Sequence, residues 1–157
     1  RAVLAGTAAQ GGAGVTNIDP EIAAIMRKPI NQLEDFLTLF FAPTEASQAK
    51  GRAFLERLRA RSWHTQPRLA SRGVMAQGAA ARAWSTAGDP GFTRLSRITH
   101  PLLVANGSND RILPTSDSIL LFQKLQNAQL ILYPDSAHGF LFQYPELFAE
   151  HVSTFLR

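Results

Sequence analysis

Two loops hold the residues whose types and spacing could do chemistry. The first, Asn106-Gly107-Ser108-Asn109-Asp110-Arg111-Ile112-Leu113-Pro114, follows the apolar run PLLVA. The second, Tyr133-Pro134-Asp135-Ser136-Ala137-His138-Gly139-Phe140, follows the apolar run QLILY. Asp110 supplies a carboxylate and His138, 28 residues later, an imidazole. A carboxylate that accepts Nδ1–H fixes the tautomer of an imidazole and stabilises its protonated form. Nε2 is then open to take a proton from a nucleophile or from water. In that pairing Asp110 is the orienting residue and His138 the general base. Each residue also has a plainer reading, since aspartate after a strand is an ordinary turn former and a loop histidine is often a bystander. The two together, each at the end of an apolar run, favour the chemical reading.

The elements that must position these loops are legible from periodicity. Ala2 to Ala5, Pro101 to Ala105 and Gln129 to Tyr133 are continuous apolar runs, which predict parallel strands covered on both faces. After the second run, Ser116 to Leu125 has Ile119, Phe122 and Leu125 at helical spacing. After the third, Pro145 to Leu156 predicts a helix with Pro145 at its first position and Glu146 in its first turn. Phe148, Val152, Phe155 and Leu156 form its expected buried stripe. Strand and helix alternate, so the fold class is α/β with parallel strands and flanking helices.

Between the first and second strands the chain reads as helices. Asp35 to Phe41 is apolar and stops before Pro43. Thr44 can cap a helix over Glu45 to Arg61 that carries Ala49, Ala53, Leu55 and Leu58, and a third covers Arg68 to Trp84. The division expected is a first strand and following loop in residues 1–18, a helical cap or lid in 19–93, and the rest of the α/β core, with the acid and histidine loops, in 94–157. Helices inserted between consecutive strands suit a lid over the strand ends, where α/β proteins place their sites.

Composition narrows the function classes. The 157 residues suit one domain with an insertion, and 45% hydrophobic with 18% charged content is that of a globular protein. No apolar run approaches the roughly 20 residues that span a bilayer, so no membrane is expected as partner. The absence of cysteine excludes disulfides and thiolate metal sites, and with no secretory signal at the start it suits a cytoplasmic protein. The net charge of +4 rests on Arg52, Arg57, Arg59, Arg61, Arg68, Arg72 and Arg82. Acidic residues are interspersed and aromatics do not alternate with the arginines, so this is a solvated helical face and no nucleic acid is expected. His64, His100 and His151 lack metal-ligand spacing and read as structural or surface residues, so neither metal nor cofactor is expected.

PLLVANGSNDRILP and YPDSAHGFLFQYPELFAEHVSTFL together resemble the C-terminal part of α/β-hydrolase-fold proteins of the small, cap-bearing esterase, lactonase and haloperoxidase-like group. In that resemblance Gly107-x-x-Asp110 is the acid loop and His138 the triad histidine. RAVLAGTA is similar to the sixth strand, the last two runs to the seventh and eighth, and the helical insertion to the cap. Ile112 would then sit beside the acid, and Phe140 would face the pocket just past the histidine. Phe36, Phe40, Trp63 and Trp84 would line the underside of the cap and favour an apolar ester-like substrate; packing within the cap is the plainer reading for each.

The family order is nucleophile, acid, histidine, and the first is missing. No serine of this chain stands in G-x-S-x-G, and the oxyanion-hole segment has no counterpart. The resemblance therefore implies a hydrolase that is incomplete, and inactive, as this chain alone. Arg1 leads directly into a strand, as in a piece cut from a longer protein. The apolar edge of Ala2 to Ala5 is expected to be covered either by a missing N-terminal half carrying the nucleophile or by a second copy of the chain. Two alternatives stay open: a non-catalytic remnant that serves as a binding module, and a haloperoxidase, epoxide hydrolase or dehalogenase of the same fold.

Overall fold

The computed structural model describes residues 1–61 and 71–157. Among these stand three strands, β1 (Ala2–Ala5), β2 (Leu102–Gly107) and β3 (Ala128–Tyr133), all parallel and ordered β1-β2-β3. The register sets Ala2 beside Leu102 and Leu102 beside Ala128. Eight α-helices accompany them: α1 (Ala13–Thr16), α2 (Pro20–Met26), α3 (Leu33–Phe40), α4 (Glu45–Arg59), α5 (Ser71–Thr86), α6 (Thr115–Lys124), α7 (Phe140–Gln143) and α8 (Pro145–Leu156), with two short 3-10 helices at Pro90–Phe92 and Leu95–Arg97. Among the described residues no helix is long and apolar enough to cross a membrane.

Successive β2 side chains point to opposite faces, as a strand requires. Leu102 and Val104 pack with Ala9, Leu121 and Leu125 on the α6 side. Ala105 packs with Tyr133 and Phe140 on the other side, against Tyr144 and Phe148. All six β2 positions are buried. The expectation of strands covered on both faces holds for β2 and fails for its neighbours, whose residues apart from Tyr133 are partly or well exposed; Leu132 of β3 is 37% exposed. β2 has a strand on each side, whereas β1 and β3 have one each among the described residues.

The inward face of α6 also departs from expectation. Ile119 and Phe122 are exposed, while Asp117, Ser118, Leu121 and Leu125 are buried. The polar pair is inward because each has a partner. The Asp117 carboxylate accepts from the backbone N–H of Ala13 at 3.0 Å and of Gly14 at 2.7 Å, and the Ser118 hydroxyl accepts from Asn106 at 3.1 Å. A satisfied polar group is cheap to bury. In α8, Phe148, Val152 and Phe155 face inward as expected, but Leu156 is exposed.

In the helical block, Thr44 caps α4 by accepting from the Ser47 N–H at 3.2 Å. The inward face of α4 is Ser47 and Gly51, with Phe54 half-buried, whereas Ala49 and Leu58 are exposed. Gly51 is required there: a β-carbon would lie 2.5 Å from Leu37 Cδ2 and 2.8 Å from Phe41 Cδ2. α1 and α2 were not expected. α2 starts at Asp19, whose carboxylate accepts from Glu21 N at 2.9 Å, with Pro20 at the first helical position.

Candidate active site

Asp110 and His138 meet because their loops touch backbone to backbone. The Ser108 N–H donates to the Tyr133 carbonyl at 2.9 Å, and the Asn109 N–H to the Ser136 carbonyl at 2.8 Å. Gly107 allows the approach: a β-carbon there would stand 2.2 Å from the Ala137 oxygen and 2.4 Å from the Ser136 oxygen. Beneath lies Asn106, fully buried, whose amide donates to the Leu113 carbonyl and to Ser118 while its oxygen accepts from the Gly107 N–H. The sequence reading treated Asn106 as part of the loop; it is the fifth residue of β2 and braces the loop's return.

The two carboxylate oxygens of Asp110 have separate partners. Oδ1 accepts from the N–H groups of Ile112 at 2.8 Å and Leu113 at 3.0 Å. Oδ2 lies 2.8 Å from His138 Nδ1. The Asp110 side chain is fully enclosed and that of His138 is 24% exposed. An ionised carboxylate only accepts, so the contact places the proton on Nδ1 and the lone pair on Nε2. No described residue hydrogen-bonds Nε2.

The helical block grips both loops. Arg111, next to the acid, donates to Asp19 at 2.7 and 3.1 Å and to Glu21 at 2.8 Å. These bonds raise the Arg111 pKa, through Glu21 first and then Asp19, and the bond from Arg111 lowers that of Asp19. On the histidine side, the Gly139 N–H donates to the Phe40 carbonyl at 2.7 Å, Ser47 donates to Gln143 at 2.7 Å, and Thr44 donates to Asp135 at 2.8 Å. Neither tether was visible in the sequence, because each joins residues about 90 positions apart.

Of the expected pocket residues, the structure gathers some and separates others. Phe40 lies 5.6 Å from the His138 ring and stacks on Phe36 at 4.5 Å. Phe54 and Phe142 extend this aromatic group. Ile112 packs with Ile22, Ile25 and Leu39, under the same helices. Phe140 is wholly enclosed, 5.1 Å from the Tyr133 ring and edge-on to Phe148. It packs within the core instead of facing open space, because Tyr133 and Phe148 enclose its ring. Trp84 lines a separate recess with Leu4, Phe92 and Leu121. Trp63, His64 and the expected helix start at Arg68 lie outside the described residues. His151 accepts or donates to the Tyr133 hydroxyl at 2.8 Å, and burial raises the Tyr133 pKa. Among the described residues no three His, Asp or Glu side chains group as a metal site would need.

The dienelactone hydrolase family model matches residues 67–154. The α/β-hydrolase-fold protein from Chitinophaga pinensis is similar at 36% identity, with a TM-score of 0.87, over 99% of this chain and 56% of its own. A thermophilic esterase from Thermogutta terrifontis is 20% identical with a TM-score of 0.64, over 99% of this chain and 54% of its own. Est816, described as an N-acyl homoserine lactone degrading enzyme, is 20% identical with a TM-score of 0.66, over 98% of this chain and 56% of its own. At such identities the last two show the fold. The chain spans about half the length of these structures. No curated protein sequence matches it.

Proposed function

The chain belongs to the dienelactone hydrolase family, with the α/β-hydrolase fold, and from that premise we propose that it supplies the acid and the histidine of a serine-hydrolase triad. The observation that supports this reading is the 2.8 Å contact between His138 Nδ1 and Asp110 Oδ2, with Nε2 bonded by no described residue. The nucleophilic serine and the oxyanion donors come from an upstream segment of the complete protein. The substrate class is a small ester or lactone with an apolar acyl part, in keeping with the aromatic side chains of Phe36 and Phe40 beside the imidazole. The block from α2 to α5 acts as the cap over that substrate.

In the reaction, Nε2 of His138 takes the hydroxyl proton as the serine oxygen bonds to the acyl carbon. The imidazolium then hands that proton to the departing alkoxide as the ester or lactone C–O bond breaks. Water next adds to the acyl-enzyme while Nε2 takes its proton, and returning that proton to the serine oxygen releases the acid. Asp110 remains ionised throughout and stabilises each imidazolium.

The apolar edge of β1, paired on one side with β2, is covered in the working protein by the upstream half or by a second copy. In the full-length protein, His138→Ala is expected to lower kcat on a short-chain aryl ester by roughly 10²–10⁴-fold, with the melting temperature held. Unchanged turnover in that variant overturns the proposal, as does an upstream segment without a strand–turn–helix nucleophile.

A further inference from the structure

We infer that Gly6 is a positioning residue for His138, its bare α-carbon being the seat on which the imidazole rests. Gly6 follows β1 directly, and its N–H donates to the Ala105 carbonyl at 2.9 Å, so its backbone is held by the sheet. Its φ of +52° is the left-handed conformation that favours glycine. A β-carbon at this position would stand 3.0 Å from His138 Cε1 and 3.2 Å from Nδ1, closer than the roughly 3.5–4.0 Å of an ordinary carbon contact. Nδ1 is the atom that bonds Asp110. A methyl group at residue 6 therefore presses on the hydrogen bond that orients the ring.

The imidazole is held on two sides, with 24% of the side chain left exposed. Asp110 holds it at Nδ1, and Phe40 stands 5.6 Å from its centre. The Phe40 carbonyl is tied to the next residue, Gly139. Phe140 Cε1 is itself 3.8 Å from the β-carbon position and belongs to a ring with no exposure. Catalytic geometry tolerates about 0.5 Å of misplacement, so a shift of several tenths of an ångström at Nδ1 is enough to matter. Three elements thus converge on one ring: β1 through Gly6, the acid loop through Asp110 and the histidine loop itself.

Gly88 supplies the control, because its φ of +50° is nearly the same and, among the described residues, nothing lies within 4 Å of its β-carbon position. Gly6→Ala and Gly88→Ala therefore share the backbone penalty, and they differ in the contact with the imidazole. The catalytic consequence rests on the proposed function; the seating itself does not. The measurement is proton and nitrogen NMR of the His138 ring in the full-length protein, followed by kinetics on a short-chain aryl ester.

Gly6→Ala is expected to lose the deshielded Nδ1–H signal of the Asp110 contact and to lower kcat by roughly 10²-fold, with KM within about twofold. Gly88→Ala is expected to keep both. Where Gly6→Ala fails to fold, Gly6→Asn brings the same β-carbon in a residue that adopts the left-handed region more readily. Retention of the Nδ1–H signal in the folded Gly6 variant overturns the inference. Loss of that signal in a protein whose turnover survives His138→Ala keeps the seating and refutes the catalytic reading.

Discussion

At Asp110 one side chain performs two tasks that substitution can separate. Oδ1 closes the acid loop on the N–H groups of Ile112 and Leu113, and Oδ2 faces His138. An asparagine retains an oxygen for the loop but presents an amide with no charge to stabilise an imidazolium. Asp110→Asn is therefore expected to keep its melting temperature within a few degrees while kcat of the full-length protein falls roughly 10³–10⁴-fold. Asp110→Ala loses the loop closure as well, and the N–H groups it leaves unpaired cost about 1–3 kcal/mol in denaturant unfolding. Equal stability of the two variants would show that Oδ1 does not hold the loop. Asp110 and His138 were legible in the sequence because each follows an apolar run in a stretch of turn formers. The division of labour between the oxygens was not, since it depends on where Leu113 returns.

At the scale of elements, the segment after β1 is anchored by α6 through one carboxylate. Asp117 is 2% exposed and receives the N–H groups of Ala13 and Gly14. Gly14 is needed for the approach, because a β-carbon would lie 2.4 Å from Pro114 Cδ and 2.5 Å from Asp117 Oδ2. Asp117→Ala is expected to destabilise the protein by about 2–4 kcal/mol, from two lost charge-assisted hydrogen bonds. Gly14→Ala is expected to cost about 1–3 kcal/mol through overpacking. Both are read as shifts of the denaturant midpoint, and a wild-type midpoint for Asp117→Ala would refute the anchor. Hydrophobic spacing on α6 pointed to Ile119 and Phe122 because periodicity weighs apolar character and cannot count distant hydrogen-bond partners.

For the molecule as a whole, paired carboxylates contribute to the acid dependence of stability. The hydrogen bond from Lys28, then that from the Gln32 N–H, lowers the Asp35 pKa, as the bond from Arg111 lowers that of Asp19. A depressed folded pKa contributes stability above the unfolded value of 3.8 that is lost as pH falls through the folded one. The melting temperature is expected to be level near neutrality and to drop below about pH 4. Lys28→Met should remove part of that acid dependence, and an unchanged profile would assign it elsewhere. The raised Tyr133 pKa works at the other end: its contribution is present below the unfolded value of 10.0 and is lost as pH rises through the folded one. The edge of β1 away from β2, which no described strand pairs, belongs to this scale too. Size-exclusion chromatography with light scattering is expected to show the isolated chain self-associating and the full-length protein with that edge covered.

By itself the sequence determined the parallel strands, the helices beside them and the two loops that carry Asp110 and His138. Each of these depends on a period or a turn former within about a dozen residues. Only the tertiary structure decided which face of α6 turns inward, that Phe140 lies enclosed, that Asp19 and Phe40 tie the helical block to the loops, and that Gly6 underlies the imidazole. Those outcomes depend on how closely backbones approach across tens of residues of chain, and local patterns do not encode that distance.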